Sequence, residues 1–130
     1  MSCRFILLTN NPRFKKHSNL PVDFREVSGK EIVTAGRDLI HQGWVLQNHP
    51  LYGNFRPHQQ PFRTLLLKKS GGGAAFDEYG LNLIESAMRV YTDCTNPLTP
   101  EKTPPQMYED CSEIDEDLMK ETLLKNNLIR

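Results

Sequence analysis

No stretch of the 130 residues approaches the roughly 18 consecutive apolar positions of a membrane-spanning helix, and the start lacks the basic segment and long apolar core of a secretory signal. A soluble, cytoplasmic chain with no membrane partner is therefore expected. Cysteine is scarce: Cys3, Cys94 and Cys111 are far apart and form no C-x-x-C pair. That excludes a disulfide framework or a zinc knuckle and suits a reducing compartment. Gly71-Gly72-Gly73 lacks the spacing and the lysine of a phosphate-binding loop. His17, His41, His49 and His58 match neither a helical H-x-x-x-H pair nor a zinc-finger pattern, so no metal and no cofactor is expected. Neither G-x-S-x-G nor a Cys-Gly-Ser-Cys signature occurs, and Phe5, Phe24 and Phe62 read as core positions rather than a stacking platform for nucleic acid. Apolar residues make up 38% of the chain. The usual share is about 45–50%, so part of the chain is expected outside the packed body.

Net charge is also lacking, but only in the sum. Residues 1–70 hold 11 Lys+Arg against 4 Asp+Glu, whereas residues 71–130 hold 5 against 12. The halves complement each other, and the nearest anion for the basic half is the chain's own second half.

The length fits one domain with additions. Arg4-Phe5-Ile6-Leu7-Leu8 is too short for an ordinary helix and reads as a strand buried on both faces. Asn11 followed by Pro12 starts a short helical turn. Val22, Phe24 and Val27 alternate as a second strand. Ser28 and Glu31 stand at capping-box spacing before a helix whose apolar stripe is Ile32, Gly36, Leu39 and Ile40, closed by Gly43. Glycine costs about 1 kcal/mol in a helix interior, so Gly36 on that stripe predicts close approach to the sheet. Residues 44–46 read as a short strand, 49–61 as an ordered loop, 62–67 as a strand, 70–75 as a flexible connector, and 77–91 as a helix capped by Asp77. The expected fold is a small α/β sandwich, a mostly parallel or mixed sheet of three or four strands with helices and a C-terminal extension. Its expected divisions are a body at 1–94, a proline-rich linker at 95–112 and an acidic tail at 113–130. The tail could form a helix with Ile114, Leu118, Leu124 and Leu128 apolar, which needs a surface to dock on.

Two groups of residues carry candidate chemistry. Thr9, Asn10, Asn11 and Arg13 lie at the carboxyl end of the first strand, where a helix start offers N–H groups to an anion such as a carboxylate or phosphate. On the main helix, Arg37 and Asp38 precede His41 by four and three residues, close enough for the carboxylate to orient the imidazole as a general acid or base. His49 before Pro50 sits in the extended backbone that proline imposes, and Gly53 follows in the same loop. Each feature also has an ordinary structural reading, as a strand-to-helix turn, a solvated ion pair and a loop histidine.

The same residues carry a resemblance. Ile6-Leu7-Leu8-Thr9-Asn10-Asn11-Pro12, Arg37-Asp38-Leu39-Ile40-His41-Gln42-Gly43, His49-Pro50-Leu51-x-Gly53, Pro57 and Pro61-Phe62-Arg63-Thr64-Leu65-Leu66-Leu67 resemble the GrdX family, small proteins encoded beside glycine reductase components in amino-acid-fermenting bacteria. The similarity covers about residues 3–93; Tyr52 and Asn54 stand where family members tend to have small residues. It implies an accessory protein rather than an established catalyst, linked to the reduction of glycine, sarcosine or betaine. Carried residue by residue, the positions of interest are Thr9, Asn10, Asn11, Pro12, Arg37, Asp38, His41, His49, Pro50 and Gly53.

The leading expectation is an accessory or binding protein with an anion-friendly cleft formed by the 9–13 turn and the 41–53 region, serving glycine reductase components or a small anionic metabolite. One alternative is a small enzyme in which His41 or His49 moves a proton and Asn10, Asn11 or Arg37 steadies negative charge. Another is a purely structural interaction module. Homodimerisation is an arrangement compatible with a small body and an acidic tail seeking a partner.

Overall fold

The computed structural model describes residues 3–17, 20–70 and 76–129. Strand β1 (Cys3–Thr9) pairs in parallel with β2 (Val22–Phe24) on one side and antiparallel with β4 (Thr64–Ser70) on the other. β3 (Val45–Leu46) pairs antiparallel with β4, giving the mixed order β2-β1-β4-β3. The two most apolar runs thus take the two central places, as expected of strands covered on both faces.

Alternation along these strands divides the core in two. Leu8, Leu65 and Leu67 face α1 (Gly29–His41) and α2 (Glu78–Asp93), in a layer with Ile32, Val33, Ile40, Ile84 and Ala87. Leu7 and Leu66 face the other way, packing with Phe14, Leu20, Met119 and Leu123 under α3 (Pro105–Lys125). The result is a three-layer α/β/α sandwich.

Local signals account for most boundaries. Ser28 and Glu31 form the reciprocal capping box at α1, and Gly43 leaves it at φ +100°. A Cβ at Gly36 would lie 2.5 Å from Leu65 Cδ1, so the expected close approach of helix to sheet is present. Asp77 caps α2 by accepting from Gly80 N. Asn11 caps a 3-10 turn at Pro12–Lys16.

Several boundaries differ from expectation, β4 starting at Thr64 rather than Phe62 and α2 reaching Asp93. The second strand stops at Phe24, before Val27, because β2 is an edge strand with β1 as its only neighbour among the described residues and the chain turns into the cap of α1. The loop at 49–61 contains a 3-10 turn at Tyr52–Asn54. In the C-terminal part, helix begins at Pro105 rather than near residue 113, because proline at the first helical position loses no hydrogen bond. Residues 105–112 are therefore helical, not extended linker. The buried face of α3 is also not the expected stripe: Cys111, Ser112, Asp115, Met119 and Leu123 face the sheet, whereas Ile114, Leu118 and Leu124 are exposed. β4 runs through Ser70; the rest of the expected 70–75 connector lies outside the described residues.

Candidate functional site

At the carboxyl end of β1 the chain places Thr9, Asn10 and Asn11 in succession, all buried, and each side chain is already engaged. Asn11 N donates to Thr9 Oγ1 at 2.9 Å, Thr9 Oγ1 meets Thr64 Oγ1 at 2.8 Å, and Thr64 Oγ1 donates to Asp115 Oδ2 at 2.8 Å. With Asp115 ionised, this ordering makes the Thr9 hydroxyl the donor to Thr64. Asn11 Nδ2 donates to both Asp115 Oδ2 and the Ser112 carbonyl at 2.9 Å, and the Tyr52 hydroxyl donates to Asp115 Oδ1. Asp115 thus collects three side-chain donors in a dry interior. Burial pushes its carboxyl up to about 7, against the Asn11 hydrogen bond, which favours the ionised form, and with the Glu116 charge, which disfavours it.

Asn10 serves the opposite face of the same strand end. Its Nδ2 donates to the Val27 and Pro61 carbonyls at 2.9 and 3.0 Å, and its Oδ1 accepts from Arg63 N at 2.8 Å. Arg63 itself is 1% exposed. Its Nε donates to the Tyr91 hydroxyl and its Nη2 to the Phe55 carbonyl, both at 2.7 Å. The guanidinium carbon lies 5.8 Å from the Tyr52 ring and 6.0 Å from the Tyr91 ring, within cation–π range. Tyr52 therefore stands between a buried cation and a buried acid, touching the first with its ring face and the second with its hydroxyl.

The asparagine pair and the 49–53 loop are linked through α3 rather than across a shared solvent space. Asp115 joins Asn11 to Tyr52. Gly53, at φ +78°, lets the loop run against α3, where a Cβ would come within 2.6 Å of Leu118 Cδ1. His49 is exposed, its Nδ1 accepting from Leu51 N at 3.0 Å within its own loop. His41 is exposed too, its ring 5.6 Å from that of Phe76. Asp38 makes no side-chain hydrogen bond to His41 among the described residues and instead lines a shallow depression with Arg25, Lys30 and Thr34. Arg37 donates to Met88 Sδ on α2. Arg13 reaches α3, with Nε donating to Ser112 Oγ and ion pairs to Glu109 and Glu116, the latter shared with Lys16. The basic start and the acidic end do meet.

A cleft of about 570 Å³ opens on the solvent side of Asn10, at the carboxyl ends of β1 and β2 and the start of α1. Lys15, Phe24, Glu26, Glu31, Lys102 and Tyr108 contribute to its walls. Lys15 Nζ sits 4.3 Å from the centre of the Phe24 ring, and Glu31 is held by the capping box. The cleft therefore combines the expected turn with residues 99–108, not with the 41–53 region. Its lining carries both signs of charge.

A family model described as GrdX-like protein matches residues 6–124. The chain belongs to the GrdX-like family. The match runs past residue 93, where the motif resemblance ends, and takes in all but the last residue of α3. No curated protein and no solved structure matches the chain. Among the described residues of this GrdX-like chain, no three His, Cys, Asp or Glu side chains come together as metal ligands, and no helix is long and apolar enough to cross a membrane.

Sequence reasoning missed Asp115, Tyr52 and Arg63 as the polar centre. For Arg63 a signal existed: in a strand it shares a face with Leu65 and Leu67, so alternation points it inward. For Asp115 none did, since one acid in a run of five acids within 113–121 looks like the rest.

Proposed function

We propose that this GrdX-like chain is a non-catalytic accessory protein of the glycine reductase system that holds a small carboxylate in the cleft beside Asn10. The observation that carries this reading is the cleft itself, open at the carboxyl ends of two parallel strands, where α/β sheets gather ligands. Lys15 and Lys102 are the cations available to a carboxylate, and Glu26 and Glu101 are placed to meet a cationic group on the same ligand. A zwitterionic amino acid matches both signs; a bare phosphate matches one. A binding role is favoured over proton transfer because His41, Asp38 and His49 do not converge and none of them lines the cleft. The link to glycine reductase is what the resemblance to the GrdX family implies, and membership of the GrdX-like family supports it.

Calorimetry of the full chain with glycine, acetate and inorganic phosphate tests the ligand. Saturable binding of glycine, weakened in Lys15→Ala or Lys102→Ala, supports the reading; heat of dilution alone for all three compounds overturns it. Sedimentation of the chain with purified glycine reductase components tests the partner. An interaction module remains the rival, resting on Tyr79 and Phe76, which are 76% and 50% exposed near the start of α2. Under that rival, association is lost in Tyr79→Ser and kept in the lysine variants.

A further inference from the structure

Arg63 is a buried cation whose acceptors, among the described residues, are all neutral. Its two side-chain hydrogen bonds go to a tyrosine hydroxyl and a backbone carbonyl, and no ion pair with a carboxylate reaches it among the described residues. A guanidinium offers five N–H donors in a planar fork shaped for a carboxylate or phosphate, and taking it out of water without an anion is costly. Two tyrosine ring faces recover part of that cost. A Cβ at Gly29, the first residue of α1, would lie 3.0 Å from Arg63 Cγ and 2.5 Å from the Tyr91 hydroxyl oxygen. The Arg63 stem and its Tyr91 partner are therefore packed against the first residue of a 13-residue helix, whose N-terminal end favours an anion.

The cover over Arg63 is the 51–57 loop. Its Phe55 carbonyl occupies Nη2, its Tyr52 ring lies across the guanidinium, and its backbone turns at Gly53. We infer that Arg63 is an anion-binding residue, and that a small oxyanion, a carboxylate or a phosphate, takes the place of the Phe55 carbonyl on its fork when the 51–57 loop lifts. The exchange replaces the neutral Phe55 carbonyl by a charged acceptor, and lifting the loop also releases the Tyr52 hydroxyl from Asp115. This site is separate from the cleft beside Asn10, whose lining does not include Arg63, and it does not depend on the reading of that cleft.

The test uses the full chain titrated with sodium acetate and, separately, with sodium phosphate, against sodium chloride at matched ionic strength. Thermal melts and the 15N resonance of the Arg63 Nε–H group are both followed. The expected result is a saturable rise in melting temperature with acetate, phosphate or both, absent with chloride, together with a saturable shift of the Arg63 Nε–H signal. The shift of the Arg63 Nε–H signal should persist in Lys15→Ala and Lys102→Ala, which separates it from cleft binding. Arg63→Lys keeps the charge but loses the fork, and should weaken the anion by about tenfold or more. Whichever anion acts identifies the source chemistry. No saturable effect beyond chloride, equal affinity in Arg63→Lys, or a wild-type Arg63 signal that stays still while the melt responds would each overturn the inference. The wild-type resonance decides the matter even if the variant fails to fold.

Discussion

Over one face of the sheet lie α1 and α2, pressed on Leu8, Leu65 and Leu67 by Ile32, Val33, Ile40, Ile84 and Ala87. Over the other lies α3, which brings only Met119 and Leu123 as fully buried apolar side chains and sets Ser112 and Asp115 against the sheet beside them. Apolar burial is non-directional, so the first pair of helices is held by area and by the close fit at Gly36. The helix on the second face is held by address. The Asn11 amide contacts two positions of α3 one turn apart, Gln60 Nε2 donates to the Cys111 carbonyl, and Thr64 and Tyr52 donate to Asp115. Hydrogen bonds of this kind specify rotation and register, at the risk that losing one partner strands the others in a dry place.

The largest effect should follow from removing α3 altogether. A chain ending at residue 104 would expose Leu7, Phe14 and Leu66, all fully buried in the whole protein. Loss of the cooperative thermal transition and concentration-dependent association in sedimentation are expected. A truncated chain that melts as the full one does would restore the expected division into a body at 1–94 with a dispensable tail, and would make the polar face an ornament.

A subtler cut leaves the helix and removes its address. Asp115→Ala strands the donors of Asn11, Thr64 and Tyr52, and should cost about 3–5 kcal/mol, the range for breaking a buried charged network by removing one member. Asp115 also ties this face to pH. Its carboxyl is pushed from 3.8 up to about 7 by burial, so the folded chain holds that proton more tightly than the unfolded one. The resulting stabilisation is fully present below about pH 4 and is lost as pH climbs through about 7. Urea midpoints should therefore fall across that window in the wild type. In Asp115→Asn, which keeps the shape and cannot titrate, this descent should be absent; an equal descent in both would place the pH dependence elsewhere.

The same contrast decides what was legible in the sequence. The apolar face is written in patterns that depend on a residue and its near neighbours: two apolar runs, the Ser28 and Glu31 box, and a glycine on a greasy stripe. The polar face is written in pairs more than a hundred residues apart, such as Asn11 with Ser112 and Asp115. No periodicity reports these. Reading α3 by hydrophobicity chose Ile114, Leu118 and Leu124, which point outward, because this helix turns a serine and an acid inward. Asn10 and Asn11 read as ligand groups for a related reason: an amide used to knit three elements together looks, as a letter, like one offered to solvent. The capped turn after β1 was legible; what its side chains were for was not.

The smallest expected effects come from two glycines, one on each face, and they differ in kind. In Gly36→Ala the new methyl meets Leu65 Cδ1 at 2.5 Å and Ile84 Cδ1 at 3.3 Å, both on fully buried side chains. Overpacking of about 1–3 kcal/mol is set against about 1 kcal/mol gained in helix propensity, leaving a net loss of about 1 kcal/mol. In Gly53→Ala the new methyl meets Leu118 Cδ1, but Leu118 is 38% exposed and can rotate away. What remains is the backbone at φ +78°, a left-handed conformation that costs an L-residue about 1 kcal/mol. Equal losses would thus have separate cures. Leu65→Val should relieve part of Gly36→Ala in a double-mutant cycle, since it removes reach rather than changing the backbone. Leu118→Ala should leave the cost of Gly53→Ala standing, whereas Gly53→Asn, which tolerates the left-handed region better, should cost less than Gly53→Ala. Coupling between positions 53 and 118 as strong as that between 36 and 65 would mean that α3 is packed as tightly as α1, and the distinction between a face held by area and a face held by address would fail.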